Sequence, residues 1–153
     1  MQRTLIFPLT LVAALSSVGN GAFAHDDATL DKLAGPNGGQ LRMAGAYHFE
    51  LVVASDSRQA RDNPVSVYLS DHGGKKVTAA GASGTATILA EKAKITVPLV
   101  PAGDNRLTGI GKYASEPQMK VVVSITFADR KTEQARFTPL TTAAADGRGD
   151  HRQ

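Results

Sequence analysis

From Asn37 to Thr138 the apolar residues recur at every second position, in short runs broken by turn residues. That period commits the chain to extended strands and leaves no stretch long enough for an amphipathic helix. Leu41 and Met43 alternate with Gln40 and Arg42. Tyr47, Phe49, Leu51 and Val53 alternate with His48, Glu50 and Val52, and Val65, Val67 and Leu69 continue the pattern. Further strands are predicted at residues 85–89, 94–99, 106–111, 120–127 and 133–138. Gly, Pro, Asn and Asp separate them, as in Asn37-Gly38-Gly39, Asp71-His72-Gly73-Gly74 and Gly103-Asp104-Asn105. Seven to eight short strands at this spacing predict an all-β domain, an immunoglobulin-like antiparallel β-sandwich. Met43 and Met119 fall on predicted core faces.

The ends read differently. Residues 1–24 have the form of a secretory signal. Arg3 precedes an apolar run from Leu5 to Leu15, and Ala22-Phe23-Ala24 supplies the small-x-small pattern that signal peptidase accepts. Cleavage after Ala24 leaves about 130 residues, enough for one domain with a core. The apolar run is shorter than the ~20 residues of a membrane span, so the mature chain is expected to be soluble and without a span. Residues 25–36 read as a polar arm with a short helical possibility at residues 28–33. Residues 37–140 read as the sandwich, and residues 141–153 as a polar tail expected to be disordered.

There is no cysteine, which excludes disulfides, thiolate metal sites and a lipid-anchored amino terminus. An exported, disulfide-free domain behind such a signal is expected in the periplasm. Losing the leader removes Arg3 and no acid, so 17 basic residues against 14 acidic ones become 16 against 14. The cations are scattered, with no basic stripe or aromatic platform, so a nucleic-acid partner is not expected.

The cut also makes His25 the new amino terminus, offering an amine and an imidazole to one metal ion. The chain carries three further histidines, of which His151 lies in the tail. Residues 47–54 and 65–70 are expected to pair as an antiparallel hairpin with Tyr47, Phe49, Leu51 and Val53 on the core face. Opposing numbers then sum to an even value: Val53 opposite Val65 pairs His48 with Ser70, and Val53 opposite Val67 pairs His48 with His72. Either brings His48 and the Asp71-His72 turn to one end of the hairpin, with Glu50 about 7 Å along the same face. The candidate metal ligands are therefore His25, His48 and His72, with Asp71 or Glu50 as a carboxylate.

Such nitrogen-rich sets suit Cu(II), then Ni(II) or Zn(II), and lose metal as pH falls through the histidine range. The plainer account of the same residues is a cross-strand polar pair and ordinary Asp-Gly turn chemistry. Gly109-Ile110-Gly111 has no helix after it and is not a phosphate loop. No serine has a nucleophile-elbow context, and no catalytic constellation is present.

Three stretches carry a resemblance. They are Gly35-Pro36-Asn37-Gly38-Gly39-Gln40-Leu41 with Gly45-Ala46-Tyr47-His48-Phe49-Glu50-Leu51-Val52, then Val67-Tyr68-Leu69-Ser70-Asp71-His72-Gly73, and Pro101-Ala102-Gly103-Asp104-Asn105-Arg106-Leu107. Together they resemble small, poorly characterised periplasmic proteins of proteobacteria and related segments in the adaptor subunits of heavy-metal efflux pumps. Those segments often carry Pro-His-Gly-Gly, where this chain has Asn37. A weaker likeness is to periplasmic copper-resistance β-sandwich proteins, which bind Cu(II) through a mature amino-terminal His with Asp and His from a loop. By that resemblance His25, Asp71 and His72 would take those roles.

The expectation is an exported periplasmic protein, not an enzyme, that binds or buffers a divalent transition metal. Copper is favoured, with nickel, cobalt or zinc as alternatives, and a heavy-metal efflux system or other envelope protein is the expected partner. The alternative is a metal-free envelope module for protein–protein interaction.

Overall fold

The computed structural model describes Leu30, residues 33–90 and residues 92–141. The predicted signal, His25 and His151 lie outside the described residues, as does residue 142 onward. The described chain folds into eight strands: β1 (Gln40–Ala44), β2 (Tyr47–Val53), β3 (Arg61–Asp71), β4 (Ser83–Ala90), β5 (Ala93–Pro101), β6 (Arg106–Tyr113), β7 (Lys120–Thr126) and β8 (Thr132–Phe137). All neighbours are antiparallel, in the order β1-β2-β3-β6-β5-β4-β7-β8. The all-β expectation is met, and the period-two reading found every strand. Its largest boundary error is β3, which begins at Arg61, four residues before Val65, the first residue of that strand's predicted core face.

The sheet has two well-paired halves and one narrow seam. β5 pairs with β4 along seven residues but with β6 only through Val100 opposite Thr108 and Pro101 opposite Leu107. Beyond that point β6 presses against β5 without ladder pairing. A Cβ at Gly109 would strike the Pro98 carbonyl, and one at Gly111 would strike the Val97 side chain, so glycine is what lets the backbones meet. At the opposite margin β1 and β8 come side by side, where the Gln40 Oε1 accepts a hydrogen bond from the Thr138 N–H at 2.8 Å. The eight strands therefore make one nearly closed sheet.

Its inner faces hold the core. Phe49, Leu51, Val65, Val67, Leu69 and Leu107 from one half meet Ile88, Val97, Leu99, Val123, Ile125 and Phe137 from the other, all essentially inaccessible to water. Removing each such side chain from water stabilises the fold by roughly 1.5–3 kcal/mol, which is how the domain holds together without a disulfide. Met119 is fully buried, as predicted.

Met43 and Leu41 are not core residues. In β1 the buried positions are Arg42 and Ala44, while Leu41 and Met43 are only partly covered. The cause is pairing. β2 must turn Phe49 and Leu51 inward, and β1 aligns Leu41 with Glu50 and Met43 with His48. Opposed residues share a face, so Leu41 and Met43 go outward with Glu50 and His48. Arg42 lays its apolar stem inward, and one of its guanidinium nitrogens donates to the Leu41 carbonyl at 2.9 Å.

One aromatic hydroxyl ties one end of the sheet together. Tyr113, fully buried at the end of β6, donates from its hydroxyl to the Pro64 carbonyl at 2.6 Å and accepts from the Ala54 N–H at 3.0 Å. The buried Asn63 amide in turn donates to the Tyr113 carbonyl at 2.7 Å. Burial pushes the phenol above its ordinary pKa of 10.0, opposed by the hydrogen bond from the Ala54 N–H. A pKa raised by folding means that the stabilisation is whole below the unfolded value and fades as pH rises through the folded one.

Tyr113→Phe should therefore cost about 1–2 kcal/mol below pH 10, because it leaves the part-buried Ala54 N–H and Pro64 carbonyl without this partner. Denaturant titration of both proteins checks this, and equal midpoints would refute the bracing role.

Candidate metal centre

The β2–β3 hairpin takes the register that sets Val53 opposite Val65 and His48 opposite Ser70. β3 then ends in a turn that Asp71 organises. The Asp71 Oδ1 accepts from the Gly73 and Lys75 amides, both at 2.9 Å, and the Asp71 carbonyl accepts from the Gly74 N–H at 3.0 Å. Gly74 takes φ of 81°, a conformation glycine adopts without strain. The returning chain pairs Lys76 with Ser70.

This turn carries His72 back over the strand. The imidazoles of His48 and His72 stack with ring centres 5.0 Å apart and planes inclined by 27°. His48 is half-buried and His72 exposed. Two of the predicted ligands are thus in contact, and they meet although the register does not pair them directly.

The carboxylates have other work. Glu50 does share the outer face with His48, but residues 35–39 fold over it and leave it 3 % exposed. Its Oε1 accepts from the Asn37 N–H at 2.7 Å and the Gly39 N–H at 3.0 Å, and its Oε2 accepts from the Asn37 Nδ2 at 2.8 Å. Gly35 and Gly39 are required for that closeness, since a Cβ on either would strike the Glu50 carboxyl group or the Leu51 carbonyl. Glu50 is a clasp for the loop that leads into β1. Asp71 is committed through Oδ1 to its own turn. Among the described residues, no group of three or more His, Asp or Glu side chains is arranged to hold a metal ion.

Compared with protein-family models, with curated proteins and with solved structures, the chain matches none of them.

The described residues therefore supply a pair of imidazoles, not a complete coordination shell. Imidazole nitrogens bind zinc at about 2.0–2.1 Å, so two donors on one ion stand about 3–4 Å apart, a spacing within reach of two rings whose centres lie 5.0 Å apart. His25, the third predicted nitrogen source, lies outside the described residues. A cleft of about 550 Å³ opens elsewhere, lined in part by Leu30, Leu33, Leu51, Val53, Leu140 and Thr141, and none of the described candidate ligands, His48, Glu50, Asp71 and His72, borders it. The centre is a surface feature at a hairpin end. Sequence reasoning passed over one neighbour of that pair. Met43, assigned to the core, stands directly across from His48, and the β1–β2 parity was the signal that would have placed it.

Replacing Glu50 by Gln should release the loop and not the sheet. The amide offers two N–H groups to a site built from N–H donors, so the clasp loses acceptors and gains repulsion. Hydrogen exchange at the Asn37 and Gly39 amides should accelerate at least tenfold while the β4 and β7 amides keep their protection. Unchanged exchange at Asn37 and Gly39 would show that the loop is held by something else.

Proposed function

We propose that this protein is an exported, periplasmic binding protein that captures a transition metal, copper in the first place and nickel, cobalt or zinc otherwise, in service of heavy-metal resistance or efflux. The observation that carries the reading is the stacked contact of His48 and His72 at the end of the β2–β3 hairpin. Two imidazoles held together by a turn with its own internal hydrogen bonds are a partly preorganised chelate, and less ordering is needed when an ion arrives. The predicted amino-terminal His25 would add an amine and an imidazole, completing a nitrogen-rich set of the kind Cu(II) and Ni(II) favour. The resemblance to efflux adaptor segments and to copper-resistance sandwiches points the same way.

A second reading, a metal-free module for contact with an envelope protein, draws on a different face. Ile110 on β6 and Val100 on β5 are 71 % and 58 % exposed on the outer side of the sheet near the seam. Apolar side chains placed together on a surface are characteristic of contact sites.

Calorimetric titration with Cu(II), Ni(II) and Zn(II) separates the two. The protein, produced from the full sequence and shown by intact mass to begin at His25, is expected to bind one ion. Binding should fall at least tenfold in a His48→Ala/His72→Ala double variant and in a form carrying one extra residue before His25. Loss in the double variant alone places the site on the hairpin. Weak binding that neither change affects overturns the metal reading and leaves the interaction module.

A further inference from the structure

The outer face of the first three strands carries a row that strand pairing alone assembles. Met43 of β1 lies opposite His48 of β2, His48 lies opposite Ser70 of β3, and Ser70 is bridged to Lys76. Directly opposed residues on antiparallel strands share a face, with Cβ atoms about 4.5–5.5 Å apart. His72, in the turn just beyond β3, stacks its ring on that of His48. One imidazole thus has a second imidazole on one side and a thioether side chain on the other.

We infer that Met43 is the third donor of the His48–His72 centre and that the centre takes a soft monovalent cation, Cu(I), with Ag(I) as its redox-inert equivalent. The inference rests on the metal reading above and specifies the ion.

Three features carry it. The first is reach. Methionine is unbranched with three rotatable bonds, so its sulfur can swing toward a point shared with a directly opposed residue. Met43 is only partly covered, so that swing does not have to open the core.

The second is softness. Thioether sulfur selects Cu(I) over the divalent first-row ions, while imidazole serves copper in either state.

The third is charge. The sulfur and both imidazoles are neutral donors, and the nearby carboxylates are engaged. Glu50 is wrapped by the Asn37 and Gly39 donors, and the Asp71 Oδ1 is held by its own turn. Lys76, bridged to Ser70, ends the row and adds no anionic donor. Neutral donors cancel none of an ion's own charge, so a divalent ion brings its whole double charge into a site whose His48 side is half-covered. Charging cost grows with the square of the charge, so a monovalent ion meets about a quarter of that penalty.

The competing account is that Met43 only covers the His48 ring as an apolar lid. Met43→Leu separates the two, since it keeps volume and hydrophobicity and removes the sulfur. Anaerobic competition against a chromophoric Cu(I) chelator, with Ag(I) in parallel, is the measurement. It uses protein made from the full sequence. One Cu(I) per chain is expected, with affinity at least tenfold weaker in Met43→Leu, and the ratio of Ag(I) to Ni(II) affinity should fall by a similar factor. X-ray absorption of the Cu(I) form of the unaltered protein should contain a copper–sulfur path, which needs no variant to interpret.

Equal Cu(I) affinity in Met43→Leu, or the absence of that path, overturns the assignment of Met43. If the His48→Ala/His72→Ala variant then still loses Cu(I), the metal reading stands without Met43. Binding of Cu(II) or Ni(II) but not Cu(I) overturns the monovalent assignment alone, and a protein that binds none of these ions overturns both readings.

Discussion

The pairing register of β2 with β3 is the constraint from which the rest of the molecule follows. Side chains alternate strictly along a strand, so sliding one strand by a single residue exchanges its buried and exposed sets. With Val53 set opposite Val65, Phe49, Leu51, Val67 and Leu69 all enter the core, and each is inaccessible to water. The same choice places His48 outside and ends β3 where the Asp71 turn can bring His72 back onto it. Core and candidate site are two faces of one pairing decision. The hydrophobic side supplies the energy that holds the polar side in place.

Much of this was readable in the amino-acid sequence because β-strand periodicity is local. Alternation located all eight strands, and the requirement that Phe49 and Leu51 face inward fixed the parity of the hairpin, to which the adopted register, Val53 opposite Val65, conforms. The error in β1 has an instructive origin. In five residues, Leu41 and Met43 outweigh Arg42 and Ala44 by hydrophobicity, so β1 taken alone points the wrong way. Its orientation is fixed by its neighbour, because Leu41 aligns with Glu50 and Met43 with His48. Short edge strands borrow their facing from the strand they pair with, and that information is not contained within their own span.

Glu50 was illegible for a related reason. Its spacing from His48 along the strand is correct, and both share the outer face. The loop at residues 35–39 lies over the carboxylate, and the hydrogen bonds that hold it join residues 11 and 13 positions apart. Nothing periodic marks such a contact. The Pro-Asn-Gly-Gly stretch signals a turn, but not that its amides converge on a buried acid. A carboxylate ringed by N–H groups is a structural anchor, and it gives the sheet a rigid entry into β1, the strand that carries Met43.

The narrow seam between β5 and β6 sets an unequal latitude for change. Backbone pairing there stops after two residue pairs, and Gly109 and Gly111 lie where any side chain would meet Pro98 or Val97. Between and beyond them, Ile110 and Lys112 face solvent. β6 therefore alternates between positions where drift is closed and positions where it is free. Lineages descending from this chain would carry a fixed glycine comb through β6 while the teeth between are rewritten. The outer surface beside the seam is thus where such a family would diversify what it touches without renegotiating its fold.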